Sequence, residues 1–478
     1  MKVKSAIVPV AAIVILMLIT FLTPFTIIGE ADAQARDITD KCRFSFGGNE
    51  LDGALTDNNI YTFAEYPAAY IGVISPEPIG GVYIRFDRTP PEWTIAVGSE
   101  IIRCGSHGFL HEYIPVGDED VRSLTLRFDD RVAMADIFIL SRSEALPAFV
   151  QTWRSAGGPC DVMLLACHSD DDQLYFAGSV PDAVARGAEM QVCFFINHWD
   201  THARPHELLD GLWACGLDRY PIIGPFPDVW LAHDEDGALR VFGEYGFTFD
   251  DMIAHQTELL RRFKPQVVLV HDINGEYGHT AHILDSHALR SAVAAAADPS
   301  QYHDSADKYG CWDVPKVYIH LYGENTIDFE IDAPLDAFGG KTAFAVSQEA
   351  FRCHITQQNT VYSAWLLGTS DAPITSSRSI SSYSPRQYGL WRSLVGNDSI
   401  RSDFYEHIAF RSHSEPTTSP NPTGVPEDPT VIPTSVPAEQ SPVPAAPGSG
   451  SEPLIVLAIL LPLLALAALA IHLIIKYN

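Results

Sequence analysis

The feature that most constrains this chain is an apolar run, Val162-Met163-Leu164-Leu165-Ala166, cut off abruptly by Cys167-His168-Ser169-Asp170-Asp171-Asp172. Five apolar residues without alternation read as a strand buried on both faces, as in parallel sheets covered by helices. The polar cluster then falls where the strand leaves the sheet, the end at which open α/β sheets carry their chemistry. Histidine with carboxylate is a ligand pair for a divalent metal, and a solvated acidic loop is an equally simple reading. The rest of the chain has to decide between them.

From Gly158 onward strands and helices alternate. Gln191–Ile196 and Gln266–Val270 are further apolar strands. Leu208, Leu209, Leu212 and Trp213 recur at helical spacing before Gly216, and Thr248-Phe249-Asp250-Asp251 resembles a capping box opening an apolar helix face that ends before Pro265. Ala281 to Ala297 is helical and stops at Asp298-Pro299. This alternation predicts a Rossmann-like, doubly wound, mainly parallel sheet over 148–413. Residues 36–147 differ in texture. Short runs at Tyr70–Ile74, Val82–Phe86, Trp93–Val97, Leu124–Phe128 and Asp136–Leu140, separated by turn residues, predict an all-β sandwich or jelly roll. Its opening, Leu51-Asp52-Gly53-Ala54-Leu55-Thr56-Asp57, resembles galactose-binding-like jelly rolls, which implies glycan binding; a purely structural β-domain fits equally well.

Both ends carry apolar stretches. Lys2 and Lys4 precede the uncharged run Ala6–Ile28, and Ala31-Asp32-Ala33-Gln34-Ala35 offers Ala-x-Ala cleavage sites, so residues 1–35 read as a secretory signal, also long enough to stay as an anchor. Residues 453–475 are long enough to span a bilayer as one helix, and 414–452 form a Pro/Ser/Thr-rich linker. The expected topology is single-pass, with the folded body on the extracytoplasmic side of the cell membrane. A net charge of −29 argues against nucleic acid and anionic lipid heads as partners. No protein partner is expected. The eight cysteines show no Cys-x-x-Cys spacing; export permits disulfides, and Cys42 with Cys104 is the expected pair, while Cys167 and Cys193 read as core residues.

A second cluster follows the strand Gln266–Val270: His271-Asp272-Ile273-Asn274-Gly275-Glu276-Tyr277-Gly278-His279-Thr280-Ala281-His282. His279 and His282, three apart at a helix start, share one face. Two clusters of metal-ligand residue types, both at strand C-termini, favour a joint site. Here the chain resembles the PIG-L/LmbE-type zinc de-N-acetylases, whose first motif is Ala-His-Pro-Asp-Asp-Glu. The counterpart is Ala166-Cys167-His168-Ser169-Asp170-Asp171-Asp172, and Gly275-Glu276-Tyr277-Gly278-His279-Thr280-Ala281-His282 meets the second motif, His-x-x-His after Gly-x-x-Gly. Arg204-Pro205-His206-Glu207 and Phe226-Pro227-Asp228 complete a resemblance running from about Asp161 to His354.

The resemblance implies that His168, Asp171 and His282 bind zinc, or another divalent metal in its place. It implies Asp170 as general base, His279 acting on the oxyanion or leaving amine, and Arg204 and Asp228 contacting the sugar. Ser169, Asp172 and Ala281 depart from the pattern. Ala281 removes a carboxylate partner of His279, for which Glu276 or Asp285 can substitute. Other signals are discounted. His206-Glu207 lacks a metalloprotease's second histidine because Asp210 stands there, and Gly339-Gly340-Lys341-Thr342 lacks the first P-loop glycine, with Leu335 in its place. His202 and His206 read as polar residues of a surface helix. His354 resembles a segment near the family's site, and Asn397-Asp398-Ser399 is a formal glycosylation sequon.

The expected function is zinc-dependent removal of N-acetyl groups from N-acetylglucosamine-type sugars at the cell surface, the β-domain holding the glycan. The alternatives are a glycan-binding surface protein with impaired catalysis and a zinc amidase or esterase on a non-sugar substrate.

Overall fold

The computed structural model describes residues 34–411, except 48, 50, 118–119, 144, 200 and 229–233. The signal-like segment 1–33, the linker and the apolar stretch 453–475 lie outside the described residues. Among the described residues, no helix is long and apolar enough to cross a membrane.

The N-terminal part forms two antiparallel sheets. Strands β1 (Arg43–Phe46), β3 (Ala69–Ile74), β5 (Trp93–Val97), β6 (Glu100–Cys104) and β8 (Ser123–Phe128) make one, in the order β1-β3-β8-β5-β6. Strands β2 (Ala64–Tyr66), β4 (Ile79–Phe86), β7 (His111–Pro115) and β9 (Val132–Ser141) make the other, in the order β2-β9-β4-β7. Alternation explains the packing: Leu124, Leu126 and Phe128 point inward and are buried, while Ser123 and Arg127 stay exposed. Trp93 stacks on Phe128 at 5.0 Å, and each such ring contributes about 1.5–3 kcal/mol by burial. β9 is buried throughout because Tyr83, Phe138 and Leu140 pack outward against Val150, Leu146 and Phe149.

All eight cysteines are free thiols. The expected Cys42–Cys104 disulfide is corrected by topology. Cys42 precedes β1 and Cys104 ends β6, and these strands are opposite edges of a five-stranded sheet. Four strand spacings separate them, roughly 19 Å, far beyond the ~7 Å limit between bridged Cα atoms.

The second part is a seven-stranded sheet, β12-β11-β10-β13-β14-β18-β15. Its members are β10 (Val162–Ala166), β11 (Met190–Ile196), β12 (Ile222–Phe226), β13 (Val267–Val270), β14 (Lys316–His320), β15 (Thr326–Asp328) and β18 (Gln387–Ser393). The first five pair in parallel; β18 is antiparallel to both β14 and β15. A two-stranded hairpin, β16 (Pro334–Leu335) with β17 (Lys341–Thr342), holds the P-loop-like glycines in a purely structural turn. Along β10, Val162, Leu164 and Ala166 enter one apolar cluster and Met163 and Leu165 another, so the unbroken apolar run reflects burial on both faces. The chain builds outward from β10 to β11 and β12, then returns to add β13 and β14 on the other side. The switch point therefore lies between β10 and β13, where crevices open at strand C-termini.

Helix Phe249–Phe263 begins with the expected capping box from Thr248 and Asp251. Its fully buried Arg261 donates to the carbonyls of Ala295, Ala296 and Asp298, closing the C-terminal end of helix Thr280–Ala297. The sandwich rests on helix Arg204–Ala214. His111 and His206 meet at 2.7 Å, Tyr61 donates to Glu207 at 3.2 Å, and His202 pairs with Asp87 at 2.8 Å. The expectation of a surface helix around His202 and His206 is thus corrected: His206 is fully buried against the β-sandwich.

Candidate metal centre

Each parallel strand delivers a polar residue to the same end of the sheet. His168 lies two residues past β10, His198 two past β11, Asp228 two past β12 and His271 one past β13, while His320 is the last residue of β14. The two sequence clusters meet at the switch point.

At its centre are three donor atoms. His168 Nδ1 is 3.1 Å from Asp171 Oδ2 and 3.0 Å from His282 Nε2, and the latter two are 3.3 Å apart. A single hydrogen on His168 Nδ1 can serve only one of its two neighbours, so the triangle is over-supplied with lone pairs. Three donors at these mutual separations are close enough for one cation to be bound by all of them at about 2.0–2.1 Å. The residues therefore fit a divalent metal. Cys167 Sγ also belongs to this cluster. Burial pushes its thiol up, which leaves Asp171 as the anionic donor and Cys167 as the expected core residue. Burial also pushes the Asp171 carboxyl up, but the His282 and His168 imidazoles outweigh it and hold it well below the usual range.

Behind the triangle lies Glu276, fully buried, which sequence reasoning offered only as a partner for His279. Its Oε2 accepts from His271 Nδ1 and His282 Nδ1, both at 2.7 Å. Its Oε1 accepts from His320 Nδ1 at 2.5 Å and from the Asp272 amide at 3.2 Å. Burial pushes this carboxyl up and the surrounding imidazoles, His271 first, pull it well below its ordinary value. With Nδ1–H committed to Glu276, His282 keeps its Nε2 lone pair toward the triangle, where it would be available to a metal. His271 Nε2 accepts the Cys167 amide at 2.9 Å, so this ring ties β13 to β10 rather than joining the donor triangle. His320 Nε2 faces the Ser384 carbonyl at 2.9 Å, so both its nitrogens meet acceptors. The signal for His320 was available: like β10 and β13, the run Val317-Tyr318-Ile319 ends in histidine.

Asp170 adjoins Asp171 but turns away, accepting from Arg204 at 3.1 Å. The Ser169 hydroxyl accepts from both Arg204 Nε (3.1 Å) and a terminal guanidinium nitrogen (2.8 Å). Its two lone pairs are then taken and its hydrogen goes to His198 Nδ1 at 2.8 Å. That leaves the His198 hydrogen on Nε2, facing Asp228 Oδ2 at 3.4 Å. Asp228 also lies 3.7 Å from His168 Nε2 and remains 41% exposed in the cleft. Burial raises its carboxyl, and the bonds to His168 and His198 reverse this and hold it well below the usual range. Ser169, a departure from the motif, thus connects the Arg204 and Asp228 positions through His198, which the sequence reading did not single out.

His279 packs edge-on to His168 and beside His282, centroids 4.6 Å in each case. Burial, then these two imidazoles, pushes it down to about 2. The expected substitutes for the missing carboxylate bond elsewhere. Glu276 is filled by its own four donors, and Asp285 Oδ1 accepts from Gln256 at 2.6 Å. Ala281 itself packs among Cys167, Phe195 and Leu284, an apolar position. His354 is buried and bonds Gln173 at 2.7 Å, bracing the first cluster from behind.

No family model matches the chain. Curated relatives do. A 1D-myo-inositol 2-acetamido-2-deoxy-alpha-D-glucopyranoside deacetylase of Geodermatophilus obscurus is 38% identical over 96 residues, 20% of this chain and 31% of the relative. A like-named deacetylase 2 of Saccharopolyspora erythraea is 44% identical over 96 residues, 20% and 33% respectively. One from Mycolicibacterium gilvum is 28% identical over 232 residues, 41% of this chain and 81% of the relative. The chain spans about a third of the length of the first two. Among solved structures, N,N'-diacetylchitobiose deacetylase from Pyrococcus horikoshii overlaps 42% of this chain and 72% of its own at 14% identity and TM-score 0.31, a likeness too slight to carry weight. Over part of its length, then, this chain is similar to sugar de-N-acetylases of the kind its motifs resemble.

Proposed function

We propose that the protein is a zinc-dependent hydrolase that removes acetyl groups from N-acetylglucosamine-type sugars, tethered to the cell membrane with its folded body on the extracytoplasmic side. The observation that carries the reading is the triangle of His168 Nδ1, Asp171 Oδ2 and His282 Nε2 with Asp170 beside it, held by a different partner. The names of the relatives support the substrate class. The apolar stretch 453–475 behind its Pro/Ser/Thr-rich linker supports the tether.

His168, Asp171 and His282 would hold the zinc, which when bound supplies an acidified water and polarises an acyl carbonyl. The chain's own groups do the rest. Asp170, with one oxygen held by Arg204, takes the water's proton on the other. The neutral ring of His279 serves the oxyanion as a hydrogen-bond donor, a contribution typically worth about 100–1000-fold in rate. Arg204 and Asp228, aligned through Ser169 and His198, bind sugar hydroxyls and orient the acetamide.

The test is acetate release by the full zinc-loaded chain from a panel of N-acetylglucosamine conjugates. Asp170→Asn is expected to keep zinc and lose about 100–10,000-fold in rate. His168→Ala is expected to lose zinc. Bound zinc with no acetate from any conjugate would overturn the reading in favour of a glycan-binding protein.

A further inference from the structure

Beside the metal centre stands a set of aromatic rings that the reaction chemistry does not use. Tyr277, 42% exposed, lies 5.5 Å from His279 and 5.9 Å from His282, centroid to centroid. From it the rings continue outward, to Tyr362 at 5.9 Å and Tyr383 at 6.3 Å. Tyr175, buried, forms the floor, 5.7 Å from Trp365 and 6.5 Å from Tyr383. Trp365 is itself fixed by donation from Nε1 to the Ser382 carbonyl at 3.0 Å. Four separate chain segments converge to build this wall, and Tyr362, Trp365 and Tyr383 are each only half-buried.

Two of these tyrosines sit in left-handed backbone, Tyr277 at φ 47° and Tyr383 at φ 52°. That region is costly for a side chain with a Cβ, and the cost persists only where the surroundings enforce it. A strained residue whose ring is buried is repaid by packing; these rings remain partly open. Tyr277 stands beside His279 and His282 and Tyr383 beside Tyr277, where a bound molecule would cover both.

We infer that this wall, Tyr277 with Tyr362, Tyr383 and Trp365, is a subsite for a second pyranose ring linked to the N-acetylated sugar. The inference rests on the proposed deacetylase reading and deepens it, making the substrate an oligosaccharide or glycan chain rather than a single sugar. The lining selects the ligand. A pyranose has apolar C–H faces and a hydroxyl rim, which phenol rings meet with a face and a polar tip. A long acyl chain would call for Leu, Ile and Val, and an anionic group for basic side chains, and the wall is built of neither.

The test compares kcat/KM of the full zinc-loaded chain on N-acetylglucosamine and on its di- and trisaccharides. The wild-type rate is expected to rise about tenfold from one ring to two. Tyr383→Gly and Tyr362→Ala should each lower that ratio about three- to tenfold, while Tyr383→Phe, which keeps the ring, retains it. Glycine at 383 removes the ring and relieves the left-handed strain together, so its loss of ratio comes without a loss of thermal stability. A flat wild-type ladder, a ratio unchanged in both ring-removing variants, or a response that follows acyl length instead of ring count would overturn the subsite. If no sugar is deacetylated, tryptophan fluorescence titration with the same sugars still decides. Affinity that grows with ring number and is lost in Tyr383→Gly upholds the wall while the hydrolase reading falls; absent binding overturns both.

Discussion

Glu276 is the residue whose replacement most directly tests how the proposed metal ligands are held. The carboxylate collects three imidazole N–H groups and one backbone amide. In Glu276→Gln the amide oxygen can stay between His271 and His282, with the NH2 group turned to His320. The Asp272 amide then loses its acceptor. The structural cost is one unsatisfied buried donor, about 1–3 kcal/mol. The negative charge behind His282 is also gone, which lowers ligand basicity and is expected to weaken zinc about tenfold. Glu276→Leu leaves all four donors of a fully buried network without their acceptor, costing about 3–5 kcal/mol or more and weakening zinc about 100-fold. Competition against a chelating dye gives the zinc Kd, and melts in EDTA give the stability term separately. The order wild type, Gln, Leu should hold in both. If Leu does not fold, Gln decides alone: a zinc Kd within twofold of wild type would refute the claim that Glu276 orients His282.

Three further outcomes follow from particular contacts. Ser169→Pro restores the motif residue but removes the hydroxyl shared by Arg204 and His198; KM should rise about three- to tenfold with zinc content unchanged, and His198→Gln should move steady-state kinetics the same way. Burial pushes the Asp285 carboxyl up to about 7. A raised carboxyl binds its proton more tightly in the folded chain, so its contribution is whole below about pH 4 and is lost as pH climbs toward 7. Asp285→Asn should therefore stabilise the protein in EDTA more at pH 8 than at pH 4.5, by on the order of a few kcal/mol, measured by denaturant unfolding. Lys316, fully buried, donates to Asp398 at 2.6 Å and to the carbonyls of Phe404 and Glu406, tying the segment after β18 back to β14. Lys316→Met strands the Asp398 charge and should cost about 3–5 kcal/mol, visible as a lowered denaturation midpoint.

Much of the fold was legible because its signals are local. The unbroken apolar runs of β10, β11 and β13 and the Thr248 capping box came out within a residue or so of their expected places. What failed to show were elements fixed by distant partners. β14 opens with a lysine inside the core, and Lys316 is tolerated there only because Asp398, 82 residues later, answers it. β7 carries His111 and Glu112, both buried, which satisfy each other's surroundings through Tyr83, Trp93 and His206 rather than through pattern. The Cys42–Cys104 expectation failed for the same reason: strand order, not spacing along the chain, sets which edges meet.

The candidate site divides in the same way, and its departures from the motif are where the division is informative. The motif residues stand out in the sequence because side-chain chemistry and spacing announce them. The support behind them does not, because Glu276 becomes a support only when the ends of β13 and β14 and the start of helix Thr280–Ala297 converge on it. Two substitutions that count against function when read singly acquire a physical account together. Ser169 supplies, where proline could not, a hydroxyl that accepts twice and donates once, so Arg204 and Asp228 are aligned through one atom. Ala281 faces an apolar cluster, and the carboxylate the helix start would otherwise carry is matched by Glu276, one turn earlier, acting on His282 instead of His279. The consequence is a shift of charge within the site: the anion lies behind a metal ligand, and His279 is left as a neutral donor. An enzyme arranged this way should depend on His279 for stabilising the oxyanion more than for protonating the amine. His279→Gln, which keeps an N–H donor without a titrating ring, should then retain far more activity than His279→Ala, and equal losses in the two would point back to proton transfer.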